Sequence, residues 1–331
     1  MSNNSALFSS DCATFSQVTV NVAITYLFFF LFPVALLLNG IAAWVSLHLP
    51  STSTFIVYLK NLVASDLLLT LTLPVTAASM LPEAAVELRI FACRYSYVIF
   101  YCCLYTSIAL MGLISLDRFF KIVRPCGKML GQNVVFSLVM STLVWMGLFG
   151  FTVIPTIILT DQTPVNITGD FCISLKSLAG VTIHKNVVIS MEILFWLVSI
   201  LIVFCYICIT LKVIQSFRKS GSNNSQGKNK TKLRVFLILF VFFVCFVPLH
   251  VMRVPFTQYE IFGIEGCAQM WVLIVQKFVL WLSTTNVCLD PLLYIYLCKE
   301  YRDKLVDIMK AKGICVGLYS GERGETSANV G

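Results

Sequence analysis

The chain has 331 residues, of which 58% are apolar and only 12% are charged, and its formal net charge at pH 7 is +8. Soluble domains seldom combine so much apolar sequence with so little charge, so the composition indicates a membrane protein. The surplus of Lys and Arg lies mostly between apolar segments, which is typical of membrane topology, and we therefore expect no nucleic-acid partner.

Seven apolar segments are long enough to cross a bilayer, which takes about 20 residues of α-helix. They cover roughly residues 18–47, 53–80, 91–120, 133–159, 187–214, 233–257 and 270–297. The sequence predicts an all-α membrane protein with three parts: an N-terminal segment 1–17, a seven-transmembrane bundle 18–297, and a short amphipathic helix with a tail, 298–331. Residues 1–17 are polar and the first apolar segment is long, so we expect no cleaved signal peptide.

Basic residues predict how the bundle is oriented. They concentrate after the third, fifth and seventh segments, which indicates that these connections are cytoplasmic and that the N-terminus is extracellular. Six basic residues lie instead at or near the outer end. They either pair with acidic residues there or form a basic cap for an external ligand. These six residues are Arg89, Arg94, Lys176, Lys185, Arg253 and Lys277.

The predicted outer side also carries cysteines and glycosylation sequons. An even number of cysteines in an oxidising compartment indicates disulfides, although four cysteines permit three pairings. Asn3 and Asn166 each begin an N-glycosylation sequon. The four outer cysteines are Cys12, Cys93, Cys172 and Cys267.

The third segment has a polar feature near each end. Tyr97, Tyr101 and Tyr105 recur every four residues, so they share one face of the helix. Interfacial tyrosines gather at one depth, whereas these descend along the helix. At the cytoplasmic end, Asp117 and Arg118 stand side by side in "LISLDRFFKIVRP". Taken alone, Asp117 and Arg118 are an ordinary interfacial ion pair.

The sixth segment contains an unusual stretch, "FVCFVPLHVMRVPFT". Phe246, His250 and Arg253 are spaced by four and three residues, which puts them on one helical stripe. Pro248 removes a backbone hydrogen bond and permits a kink. Alone, Arg253 would reach lipid headgroups and His250 would be a core histidine. Together with the tyrosines of the third segment, they predict a pocket for an anionic ligand that stacks on aromatic rings.

Two aspartates lie inside apolar segments, where a carboxylate is costly and usually functional. Asp66 is in "NLVASDLLL" and Asp290 is in "NVCLDPLLY". With Ser107 and Asn286 they predict a hydrated polar cluster, in which a sodium ion or a proton balances the charge. We expect no other cofactor. The sequence contains no nucleophile–base set and no metal-ligand spacing, so we do not expect an enzyme.

After the seventh segment, "KEYRDKLVDIMKAKGIC" has an amphipathic pattern. Tyr301, Leu305, Ile308 and Met309 form its apolar face, which we expect to contact membrane lipid. Cys315 at the end of this stretch is a candidate palmitoylation site.

The motifs "LNG", "ASDLLL", "LDRF", "FVCFVP" and "NVCLDPLLY" follow one another between Asn39 and Cys298. In this order they resemble rhodopsin-like (class A) G-protein-coupled receptors. Longer stretches such as "FIVYLKNLVASDLLLTLTLP" are similar to the purinoceptor branch that senses ADP and UDP-sugars, and to its orphan relatives. The resemblance implies a plasma-membrane receptor for an extracellular nucleotide or nucleotide-sugar. It also implies a heterotrimeric G protein, of the inhibitory class, as partner.

The resemblance further implies roles for individual residues. Cys93 would bridge Cys172, and Cys12 would bridge Cys267. Asp117 and Arg118 would couple to the G protein. The ligand contacts would be Tyr101, Tyr105, Lys176, His184, His250 and Arg253, and we add Tyr97 because it shares the helical face of the other two tyrosines. Signal transmission would involve Phe246, Pro248, Pro291 and Tyr294. The sodium ligands would be Asp66, Ser107, Asn286 and Asp290.

Three departures from the branch affect these expectations. The phosphate-binding lysine of the seventh segment matches Gln276 when counted back from "NVCLDP", and Lys277 when counted forward from Cys267. Glu192, an intramembrane acid, would oppose a phosphate if it faces the pocket. No acidic residue occurs between Glu192 and Glu260. We therefore expect only a weak restraint on Arg118, and appreciable basal activity.

Two alternatives remain open at this stage. An orphan or lysophospholipid receptor of the same branch would use the basic cap for a phospholipid head. A transporter or channel is the other alternative, but we find neither an internal repeat nor a matching pair of broken helices.

Overall fold

Seven long helices form a bundle, and an eighth helix follows the seventh. The computed structural model describes residues 17–123, 133–160, 171–219, 225–262 and 267–311. All seven long helices are long and apolar enough to cross a membrane, which confirms the predicted fold class. The helices are α1 (Gln17–Leu47), α2 (Thr54–Ser79), α3 (Val86–Val123), α4 (Val134–Leu159), α5 (Leu178–Lys219), α6 (Ser225–Phe262), α7 (Cys267–Thr284 and Asn286–Leu297) and α8 (Lys299–Ala311).

The predicted boundaries are accurate where apolar sequence ends abruptly and are too short elsewhere. Helices α1, α2 and α4 begin and end within two residues of the prediction, whereas α5 begins at Leu178 and α6 at Ser225. The extra turns contain polar residues such as His184 and Asn229. A helix continues through such residues because its backbone hydrogen bonds are formed within the helix itself. Hydropathy alone therefore does not mark its ends.

The outer surface of the bundle is apolar. Phe30 is 76% exposed and Ile200 is 66% exposed, and most of their neighbours on α1 and α5 that are exposed are also large apolar residues. Such a surface is unfavourable in water and is suited to lipid chains.

Polar side chains connect the helices inside the bundle. The Asn39 amide on α1 donates to the Val287 carbonyl of α7 at 2.7 Å. The Ser65 hydroxyl on α2 donates to the Cys103 carbonyl of α3 at 2.8 Å. The Trp145 indole on α4 donates to the Asn61 side chain of α2 at 3.1 Å. Because little water competes inside the membrane, these bonds stabilise the relative positions of the helices.

The amphipathic helix α8 packs on the bundle more closely than predicted. Tyr301 is fully buried, and its ring centroid lies 6.0 Å from that of Tyr294 on α7. Leu305 and Ile308 pack against the same apolar cluster. The prediction that Tyr301 faces lipid is therefore wrong, whereas Leu305 and Ile308 are only partly buried and their contact with lipid stays a prediction. The ends of α1 and α7 cover this face, and sequence periodicity does not reveal such a neighbour.

Several predicted modification and bridging positions lie outside the part of the chain that the structure describes. They are Asn3, Cys12, Asn166 and Cys315, and the side chain of Cys267.

Candidate functional site

A disulfide joins α3 to the segment that precedes α5. Cys93 lies in a five-residue π-helical turn, Ala92–Ser96, and Cys172 lies in the one-turn helix Phe171–Ser174. This is the pairing that the family resemblance implied. We call this end of the bundle the disulfide end. Phe171 and both cysteines of the bridge line a cavity there, so the bridge holds part of the cavity wall in place.

The cavity has a volume of about 400 Å³, which is within the usual range for a small-molecule site. All but one of the predicted ligand contacts line it, namely Tyr97, Tyr101, Tyr105, Lys176, His184, Arg253, Gln276 and Lys277. The sequence did not predict most of its apolar lining, which includes Met80, Val98, Met191, Phe256, Leu273 and Leu280. An apolar residue in a membrane segment has the same sequence signal whether it faces lipid or a cavity.

Arg253 and Tyr101 connect α6 and α3 across the cavity. The Arg253 Nη1 atom donates to the Tyr101 hydroxyl at 3.1 Å, and the guanidinium carbon lies 4.7 Å from the Tyr101 ring centroid. Arg253 is only 7% exposed. In an environment of low dielectric, a guanidinium interacts with an anion more strongly than it does in water. The pair therefore provides a cationic and aromatic surface for a ligand.

His250 lies behind the cavity wall. Its ring stacks on Phe195 of α5 at 3.5 Å and meets Tyr105 edge to face at 5.6 Å. Its Nδ1 atom donates to the Phe246 carbonyl at 2.8 Å, since a carbonyl can only accept. The described residues that line the cavity do not include His250. In this structure His250 contacts Tyr105 rather than the cavity, and its contact with the ligand stays a prediction.

Both candidate positions for the lysine of the seventh segment reach the cavity. The Lys277 ammonium donates to the Asn21 side chain of α1. Gln276 is 3% exposed, and its Oε1 atom has no hydrogen-bond partner among the described residues. Adjacent positions on a helix are about 100° apart, so a wide cavity can contact both.

The four predicted sodium ligands lie together in the middle of the bundle. The Ser107 hydroxyl donates to Asp66 Oδ1 at 3.1 Å, and the Asn286 amide donates to Asp290 Oδ2 at 2.9 Å. The Tyr294 hydroxyl donates to Asp66 Oδ2 at 3.0 Å. The two carboxyl groups are close enough to interact electrostatically. Two buried carboxyl groups this close need a proton or a cation between them.

The oxygen atoms of this cluster fit a hard cation. Asn286 Oδ1 is buried and accepts no hydrogen bond from the described residues. Carbonyl, hydroxyl and carboxylate oxygens are the ligands that hard cations prefer. Among all the residues that the structure describes, no group of three His, Cys, Asp or Glu side chains is arranged to hold a metal ion.

Asp117 and Arg118, at the opposite end of α3, have different partners. Asp117 accepts from the Thr54 hydroxyl and from the Lys121 ammonium, the latter at 2.9 Å. The Arg118 guanidinium lies over the Phe55 ring at 4.0 Å. The spacing of four residues between Asp117 and Lys121 could have predicted that pair. The contact with Phe55 depends on helix packing and has no signal in the sequence.

The predicted transmission residues lie on α6 and α7, and Tyr294 belongs to the polar cluster through its bond to Asp66. Phe246 is fully buried, and its ring centroid is 5.2 Å from that of Phe242. Pro248 lies inside an unbroken α6. Pro291 lies in the second part of α7, after the interruption at Thr285.

Comparison with known proteins identifies the family of the chain. The model of the 7 transmembrane receptor (rhodopsin family) matches residues 38–294. Purinoceptor 13 of Homo sapiens is 40% identical over 287 residues, which are 86% of this chain and 81% of the relative. Purinoceptor 14 of Bos taurus is 38% identical over 296 residues, 89% of this chain and 87% of the relative. G-protein coupled receptor 87 of Mus musculus is 34% identical over 285 residues, which are 86% of this chain and 79% of the relative. The chain is therefore a multi-pass plasma-membrane protein that belongs to the rhodopsin family of seven-transmembrane receptors, in the branch that contains purinoceptors 13 and 14.

Proposed function

We propose that this receptor binds an extracellular nucleotide or nucleotide-sugar, of the ADP or UDP-sugar class, in the cavity at the disulfide end. It then activates a heterotrimeric G protein of the inhibitory class. The observation that carries the proposal is the buried Arg253 guanidinium, which is bonded to Tyr101 inside a cavity of about 400 Å³. The names of the relatives, purinoceptors 13 and 14, support a nucleotide-type ligand.

The chemistry of the lining residues suits such a ligand. Tyrosine rings can stack on a nucleobase, and their hydroxyls can bind its polar edge. Lys176, Arg253 and Lys277 can bind phosphate oxygens through charge-assisted hydrogen bonds. The distribution of Lys and Arg supports an orientation in which the disulfide end faces the outside of the cell, where such ligands would arrive.

The proposal is tested in transfected cells that report the cAMP concentration. ADP, UDP-glucose and lysophospholipids are applied in turn to cells with verified receptor on their surface. We expect a nucleotide to lower cAMP. A response to lipids alone would favour the lysophospholipid alternative, and solute flux without G-protein activation would favour a transporter.

We also propose that sodium regulates the receptor by binding at Asp66, Ser107, Asn286 and Asp290. The cation would neutralise part of the charge of the two carboxyl groups. We expect sodium chloride, compared with an equal concentration of N-methylglucamine chloride, to weaken agonist binding by several-fold in the wild-type receptor. Asp66→Asn should remove this difference, because it removes one of the two carboxylates. Radioligand competition measures the effect, and an equal effect of sodium in both proteins would contradict the proposal.

The contact between Arg118 and Phe55 leads to a prediction about basal signalling. We expect Phe55→Leu to raise basal G-protein activation, because the ring that holds the Arg118 guanidinium is lost. A cation–π contact contributes roughly 0.5–2 kcal/mol, so the increase should be about 2- to 30-fold. GTPγS binding without agonist measures it. Phe55→Tyr keeps the ring and serves as the matched control. If both variants behave alike, the ring does not restrain Arg118.

A further inference from the structure

Glu192 is an acidic side chain that the proposed function leaves unused. It lies on α5 within the membrane span Leu178–Ser216 and is 9% exposed. Neither of its carboxylate oxygens accepts a well-directed hydrogen bond from the described residues, although the Trp196 indole lies beside it. A buried carboxylate without donors is costly, especially in a membrane. Its presence therefore suggests a donor that comes from outside the protein.

Glu192 lies directly behind the wall of the ligand cavity and is not itself among the described residues that line it. Val188, one helical turn earlier on α5, and the preceding residue Met191 both line the cavity. Arg253 and Tyr105, which line it from α6 and α3, are close enough to interact electrostatically with the carboxylate. The carboxylate is thus next to the residue that would bind the ligand's phosphate.

A role as the counter-ion of Arg253 does not by itself account for the carboxylate. The guanidinium donates a hydrogen bond at 3.1 Å to Tyr101, and the carboxylate oxygens of Glu192 receive none in good geometry from the described residues. A carboxylate has about four lone-pair positions for donors. It would repel a second phosphate, which offers only acceptors and negative charge. It would attract a hydroxyl group, which can donate.

We propose that Glu192 is a specificity-determining residue whose side chain turns into the cavity when the ligand binds and accepts hydrogen bonds from its hydroxyl groups, beside the phosphate bound by Arg253. The nucleotide part of this inference rests on the proposed function. The arrangement selects a phosphodiester that carries a polyol, as in a nucleotide-sugar, over a free nucleoside diphosphate with a terminal phosphate. A lysophospholipid with an inositol head group has the same pair of chemical features, so the experiment includes both sources.

The test uses two matched pairs of ligands on the full-length receptor. UDP-glucose is compared with UDP, and lysophosphatidylinositol is compared with lysophosphatidic acid. For each pair, the ratio of EC50 values is measured in the wild type and in Glu192→Gln, which keeps the shape of the side chain but not its charge. We expect the wild type to prefer UDP-glucose. The variant should lose this preference by about tenfold or more, as for a hydrogen bond to a charged group.

Controls separate specificity from stability. Ile193→Ala changes the next residue on α5, which is 56% exposed on the bundle surface, and should leave the ratio unchanged. Glu192→Asp keeps the charge and should keep the direction of the preference. A purely structural role for Glu192 would lower surface expression and shift both ligands of a pair equally.

Each outcome has a distinct meaning. An unchanged ratio in Glu192→Gln, or a wild type that prefers UDP, overturns the inference. A ratio that depends on Glu192 only in the lipid pair supports the role of Glu192 and removes the UDP-sugar part of the proposed function. The absence of any response to all four ligands from receptor at the cell surface overturns the inference, and a response of the same cells to ADP then shows that the proposed nucleotide function stands without it.

Discussion

Replacing Arg253 by alanine should raise the EC50 for the nucleotide agonist by about 100-fold or more, or abolish the response. Each hydrogen bond to a charged group contributes about 1.5–3 kcal/mol, and a guanidinium can make two such bonds to a phosphate. The substitution also removes the donor to Tyr101, so the aromatic wall loses its connection to α6. The measurement is a concentration–response curve for inhibition of cAMP, corrected for the amount of receptor at the cell surface.

Two further variants make this result specific. Arg253→Lys keeps the charge but not the paired donors, and should recover only part of the potency. Arg89→Ala is the matched control at the same end of the bundle. Arg89 donates to the carbonyls of Leu81 and Pro82 at 3.0 Å each and is not among the described residues that line the cavity. A normal EC50 in Arg253→Ala would mean that the ligand binds elsewhere.

The sequence was sufficient to predict that residues of α3 and α6 line the same cavity. Tyrosines at every fourth position of one segment, and the spacing of Phe246, His250 and Arg253 in another, identify which side chains share a helical face. Whether such a face lines the cavity or packs against another helix depends on how the helices pack in the bundle. His250 is behind Tyr105 because Phe195 of α5 stacks on its ring, and no spacing within α6 could predict that neighbour.

The polar cluster was predictable for a different reason. Asp66 and Asp290 are conspicuous because a carboxylate in a membrane segment is costly, and the resemblance then supplied their partners. Apolar lining residues such as Met191 and Leu280 lack this signal. Glu192 was conspicuous for the same reason as the aspartates, but the sequence did not show whether its side chain faces the cavity. Its closeness to Arg253 is a feature that only the packing of α5 against α3 and α6 reveals.

Loss of the disulfide between Cys93 and Cys172 should have the second large effect. The bridge joins residues 79 positions apart, and closing a loop of that size stabilises a fold by about 4 kcal/mol in the chain-entropy account. Its removal also releases the segment from Phe171 to Lys176, both of which line the cavity. We therefore expect Cys93→Ser/Cys172→Ser to lower the thermal stability of purified receptor and to raise the agonist EC50 by more than about tenfold.

Cysteine variants at one end of α3 separate the bridge from the thiols. Cys102 is a free, buried cysteine that lines the same cavity, so Cys102→Ser changes the chemistry of the lining without breaking a cross-link. It should cost much less potency and stability than the double variant. The single variants Cys93→Ser and Cys172→Ser should each match the double variant, because each already breaks the same bond. If the double variant keeps the wild-type EC50, the segment that carries Lys176 is held by its own contacts, such as the pairing of Lys176 with Thr160, and the bridge contributes to folding alone.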